Sequence, residues 1–125
     1  MVEEDGLSTT ILAAAFRVHS RLGPGLLESV YQRVLAYELV KGGLSVEVQK
    51  WIPIDYDELH FEEGYRADLI VEKKVLLELK SVEALLPVHA KQVLTYLRLA
   101  KLRLGYLVNF GEPHLKTGIK RLVNG

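Results

Sequence analysis

The sequence contains no cysteine. That excludes disulfides, thiolate metal sites and a cysteine nucleophile, and it fits a reducing compartment. No apolar run approaches the roughly 18 residues that a membrane span requires. The opening MVEEDGLSTT is acidic and lacks the basic start of a signal peptide. Internal repeats, low-complexity tracts and an interdomain linker are all missing. The chain also lacks net charge, with 16 basic and 16 acidic side chains, which taken in bulk argues against a nucleic-acid partner. What remains is 125 residues, 49% of them apolar. That suffices for one domain with one buried core, expected to span residues 1–125, soluble, cytoplasmic and without a membrane partner.

The distribution of charge says something different from its sum. From His89 onward Lys91, Arg98, Lys101, Arg103, Lys116, Lys120 and Arg121 face a single acid, Glu112. The first 88 residues hold the other nine bases and fifteen acids. A neutral protein can thus present one phosphate-facing surface, although ordinary solvated helix and loop charges would look the same.

Hydrophobic spacing predicts a helix from Leu7 to Arg21, stopped by Gly23, and a second from Pro24 to about Lys41, ended by Gly42-Gly43. The period then shortens. Val46 to Tyr56 reads as strand, Asp55 to Gly64 as an acidic hairpin or loop, and Tyr65 to Val71 and Val75 to Lys80 as two further strands joined at Lys73-Lys74. Pro87 opens a helix to about Lys101, Leu104 to Phe110 is a strand, and Leu115 to Val123 adds a short helix or an edge strand. The order α-α-β-β-β-α-β implies an α/β fold with a mixed sheet of four to five strands flanked by helices.

Charged residues interrupt the most apolar strands. In VLLELK, Val75, Leu77 and Leu79 should face one way, and Leu76, Glu78 and Lys80 the other. In the preceding strand, Arg66, Asp68 and Ile70 should share a face opposite Tyr65, Ala67, Leu69 and Val71. A tight turn would bring Asp68 to Glu78. Two carboxylates so close repel, and partial burial adds a desolvation cost, unless a hard divalent cation sits between them. Oxygen-only ligands suit Mg²⁺ or Mn²⁺. Lys80 could then orient the attacking water. The competing reading is an exposed hairpin carrying ion pairs. Glu28 precedes Tyr31, Leu35 and Leu39 at helical spacing, which would place it on the apolar stripe, although a carboxylate is also favoured there by the helix dipole. His89, Gln92, Tyr96 and Leu99 share one side of the later helix, so Gln92 and Tyr96 could line a cleft, a pattern also common by chance. His19 and His89 are as readily capping or packing residues as bases.

Several stretches together resemble one family. HSRLGPGLLESVY, with Gly25, Glu28 and Tyr31, is similar to the signature of the GxxExxY proteins. YRADLIV, LLELKSVEAL, HAKQVLTYLRL and LVNFGEPHLKTGIKRLVN resemble the same family, which lies in the PD-(D/E)XK nuclease superfamily with its restriction-endonuclease-like core. The resemblance implies that Asp68 is the metal-binding aspartate, Glu78 the second acid, Lys80 the lysine and Glu28 the helical glutamate. It further implies that the Leu79 carbonyl joins the metal, and that Gln92 and Tyr96 match a QxxxY motif of exonuclease-like branches. Ala67 stands where the motif's proline would be. The implied activity is Mg²⁺- or Mn²⁺-dependent hydrolysis of phosphodiester bonds, of DNA in the first instance, with Lys91, Arg98 and Lys101 tracking phosphates. The alternatives are a catalytically silent nuclease-fold module that binds nucleic acid or protein, with a homodimer among its forms, and an enzyme acting on RNA.

Overall fold

A computed structural model describes residues 4–125, with side-chain surroundings from residue 6 onward. Leu7, Ile11, Ala14, Ala15 and Val18 recur at helical spacing, and they form the buried stripe of α1 (Glu4–Leu22). Gly23, at φ 74°, ends it in the left-handed conformation that glycine adopts without strain. Helix α2 (Glu28–Lys41) buries Tyr31, Leu35 and Leu39 and stops at Gly42. It begins four residues later than the sequence suggests. Pro24 lies in the connection because Gly23 and Gly25 both have positive φ, and the Tyr31 hydroxyl ties that connection down. The phenol accepts the Leu26 N–H at 3.1 Å and donates to the Gly23 carbonyl.

Strands β1 (Val46–Tyr56) and β2 (Leu59–Val71) form a long antiparallel hairpin. The acidic stretch expected as loop is therefore mostly strand, with its turn at Asp57-Glu58. An arm exposed on both sides needs no apolar alternation, so its sequence looks like loop. A bulge sits between Ile52 and Ile54. It spans Pro53, whose missing N–H is tolerated on an edge strand. Strand β3 (Val75–Lys80) pairs antiparallel with β2 across a tight turn at Glu72 and Lys73, both at φ 54°. Helix α3 (Pro87–Ala100) then leads to β4 (Leu104–Asn109), parallel to β3, and a 3₁₀ turn (Leu115–Gly118) precedes β5 (Ile119–Val123). The C-terminal stretch is thus both short helix and edge strand. The mixed sheet has the order β1-β2-β3-β4-β5.

Helices α1 and α2 cover one face of this sheet and α3 the other. Val75, Leu77 and Leu79 pack toward the first pair, and Leu76 packs with Val93 and Leu97 of α3. The alternation read from VLLELK is therefore observed. That of β2 is not. Leu69 and Val71 join the α1–α2 side, but Tyr65 and Ala67 join the α3 side together with Ile70. Strand β1 changes over at the same level, since Val46 packs on the first side and Ile52 on the second. Between them Gln49, at φ 53°, breaks the regular pleat where Asp68 would pair. Its side-chain amide donates instead to Gln32 of α2. None of the described helices is long and apolar enough to cross a membrane.

Candidate active site

The β2–β3 ladder ends at Leu69–Leu77. Beyond that point side chains replace backbone pairing. The Asp68 N–H donates to Glu78 Oε1 at 3.2 Å, and the Leu79 N–H donates to Asp68 Oδ2 at 2.8 Å. Two carboxylates are thereby held together where the strands part. Glu78 is only 8% exposed, and Asp68 is half-buried. Burial, followed by the negative charge of Asp68, pushes the Glu78 carboxyl up to about 8, so it holds a proton near neutrality. Lys80, on the same strand face, favours the charged form of Glu78 through space. Among the described residues it forms no direct ion pair with either acid, which departs from the ion-paired hairpin alternative.

Backbone direction matters for Leu79. The Lys80 carbonyl accepts from Phe110 N–H at 2.8 Å and so points toward the β4 side. A strand's carbonyls alternate sides, which turns that of Leu79 toward the β2 side, where the ladder has already ended. The Leu79 N–H on that side is the group that donates to Asp68 Oδ2.

Helix α3 closes one flank. Tyr96 stacks on Tyr65 with ring centres 4.0 Å apart, and the Tyr65 hydroxyl donates to the Tyr96 carbonyl at 2.7 Å. Burial, then the field of Glu78, pushes the pKa of both phenols up, which puts this pair within electrostatic reach of the acids. Sequence reasoning missed Tyr65 because strict alternation pointed it away from Asp68. Gln92 is exposed, one turn before Tyr96. His89 caps α3, its Nδ1 accepting the Leu86 N–H at 3.0 Å, and buried His19 hydrogen-bonds the Glu112 carbonyl at 2.7 Å. Lys91, Arg98 and Lys101 are all exposed on or at the end of α3.

Glu28 departs from expectation. It is the first residue of α2 and is exposed, so the buried stripe begins one turn later, at Tyr31. The connection just before it is nevertheless fastened to the end of β3, because the Ser81 hydroxyl donates to the Leu26 carbonyl. Another missed residue is Asn109, which is fully buried. Its Oδ1 accepts from Val82 and Gly111 N–H, both at 3.0 Å, and its Nδ2 donates to the Val82 carbonyl at 2.9 Å. Gly111 leaves room for this staple, since a Cβ there would lie 2.1 Å from the Val82 carbonyl oxygen. Within LVNF a buried amide gives no signal until the β3–α3 loop is in place.

The donor set fits a hard cation of low protein coordination. Among the described residues no three His, Cys, Asp or Glu side chains converge as a metal cluster. Two carboxylates and one peptide carbonyl, all oxygen, nonetheless suit Mg²⁺, which keeps several of its waters.

Comparison with known families matches residues 5–122 to the PD-(D/E)XK nuclease superfamily. The chain belongs to this superfamily. No curated protein and no solved structure matches it. Members of the superfamily are nucleases by description, so nucleic acid is the class of substrate to which this nuclease-superfamily chain points.

Proposed function

We propose that this chain is a divalent-metal-dependent nuclease of the GxxExxY group that hydrolyses phosphodiester bonds of DNA. The observation that carries the reading is the Asp68–Glu78 pair, two carboxylates bonded into each other's strands at the open end of a ladder, with Lys80 next along β3. Asp68, Glu78 and the Leu79 carbonyl would hold Mg²⁺ or Mn²⁺, with Glu28 assisting from the start of α2. A bound ion supplies positive charge to the phosphoryl oxygens and to the leaving oxygen. Lys80 would orient the attacking water and offset the charge developing on phosphorus. Gln92 and Tyr96 would shape the cleft, and Lys91, Arg98 and Lys101 would follow the phosphate backbone.

Purified protein with Mg²⁺ or Mn²⁺ is expected to cut single- or double-stranded DNA, with Asp68→Ala and Lys80→Ala both inactive. Undiminished cutting by those variants would remove the assignment. A parallel RNA assay decides the polymer. The exposure of Glu28 favours a second reading, in which the fold binds nucleic acid or a second copy of itself without turnover. Calorimetry separates the two, since a silent module takes up no Mn²⁺ at Asp68.

A further inference from the structure

The β1–β2 arm carries a pair of side chains that the chemistry above leaves unused. Trp51 and Arg66 are direct partners across the two strands, and the Arg66 guanidinium lies 5.3 Å from the centre of the Trp51 ring. Their neighbours Ile52 and Tyr65 turn inward against α3, so Trp51 and Arg66 face outward on the other side of the arm. Trp51 is 42% exposed. Among the described residues no carboxylate lies within ion-pair distance of Arg66. As a purely structural contact such an exposed pair adds little to strand pairing.

Charge changes sign along the arm. Its tip, from Asp55 to Glu63, carries five acids and neither lysine nor arginine, and His60 there already lies between Asp55 and Glu62. Its root carries Arg66 on the outward face, while Lys50 lies on the α3 side and pairs with Glu47 at 3.2 Å. A phosphate backbone is accepted at the root and repelled at the tip. A duplex brings two backbones and would lay one of them toward those acids, whereas a single strand can cross the root alone. An exposed aromatic ring beside an arginine is also the chemistry that holds unpaired bases, which stack through their π-faces without regard to sequence.

We infer that Trp51 and Arg66 form a holding site for single-stranded nucleic acid, with a base stacked against the indole and a phosphate on the guanidinium. Arg66 lies two residues before Asp68 on β2, roughly 7 Å along the strand. The site stands apart from the nuclease reading, since Trp51 and Arg66 face away from α3 whereas Glu78 shares the α3-facing side of β3 with Leu76.

Trp51 is the sole tryptophan, so all indole emission reports on this site. Titration of the full chain with a short oligothymidylate in EDTA, where no cleavage occurs, should quench that emission. Trp51→Leu, followed by competition or anisotropy, should weaken single-strand binding about tenfold, as loss of one stacked base does, and Trp51→Tyr should retain most of it. Arg66→Gln should lower the slope of log affinity against log salt by about one. Binding of a blunt duplex should change little. Absence of quenching, or equal single-strand affinity in Trp51→Leu with its circular dichroism intact, overturns the inference. The parent chain separates the two readings, because quenching without cleavage sinks the nuclease and spares the holding site, and cleavage without quenching does the reverse.

Discussion

Asp68 and Glu78 are joined by a hydrogen bond in which the Asp68 backbone N–H donates to Glu78 Oε1 at 3.2 Å. The contact fixes the second carboxylate where the strand ladder stops and keeps it too buried to ionise easily. Its consequences can be measured without any substrate.

The first concerns pH. Glu78 ordinarily titrates near 4.5, but in the fold burial and Asp68 hold it near 8. Across that interval the folded chain retains a proton that the unfolded chain has lost, so stability falls as pH rises and levels off above it. Below the interval both states are protonated and the penalty vanishes. Urea denaturation in EDTA should therefore give a higher midpoint at about pH 5 than at about pH 8.5, and Glu78→Gln should flatten the difference.

The second concerns the ion. Binding only to the folded state raises the melting temperature by mass action. Saturating Mn²⁺ should raise it in the parent chain, more at about pH 8 than at about pH 6 because Glu78 must shed its proton. Asp68→Asn and Glu78→Gln should each lose most of that rise, as read by differential scanning fluorimetry.

The third concerns Tyr31, whose ring stacks on Phe110 at 4.5 Å and whose hydroxyl serves Leu26 and Gly23. Tyr31→Phe keeps the stack and strands those backbone groups. The expected loss is about 1–3 kcal/mol in chemical denaturation, restricted to stability and the α1–α2 connection. An unchanged midpoint would assign the phenol no structural role.

The fourth concerns Asn109. Asn109→Leu leaves the N–H groups of Val82 and Gly111 and the Val82 carbonyl without their buried partner. A loss of about 2 kcal/mol or more is expected, with faster hydrogen exchange at Val82 than elsewhere in β4's surroundings.

Much of this architecture was legible from spacing alone. The stripes of α1 and α2, the alternation in Val75–Lys80 and the helix opened by Pro87 all follow the two periods that burial imposes. The acids Asp68 and Glu78 stood out because charge inside an apolar strand demands a partner. Other features depend on contacts that no local pattern carries. Leu59–Gly64 is strand without an apolar face, because both sides of the arm meet solvent. Tyr65 faces α3 only because both arms change face near Gln49. Glu28 follows the spacing of a buried stripe, but a helix's first residue can lie beyond the element that covers the rest.

Crystals soaked in Mn²⁺ at about pH 8 provide the most direct measurement, since anomalous scattering locates that ion unambiguously at a pH where Glu78 can lose its proton. The account predicts one peak in contact with the carboxylates of both Asp68 and Glu78, absent in Asp68→Ala. Peaks only elsewhere, or a Lys80 ammonium bonded directly to Glu78 with no ion between the acids, would contradict it.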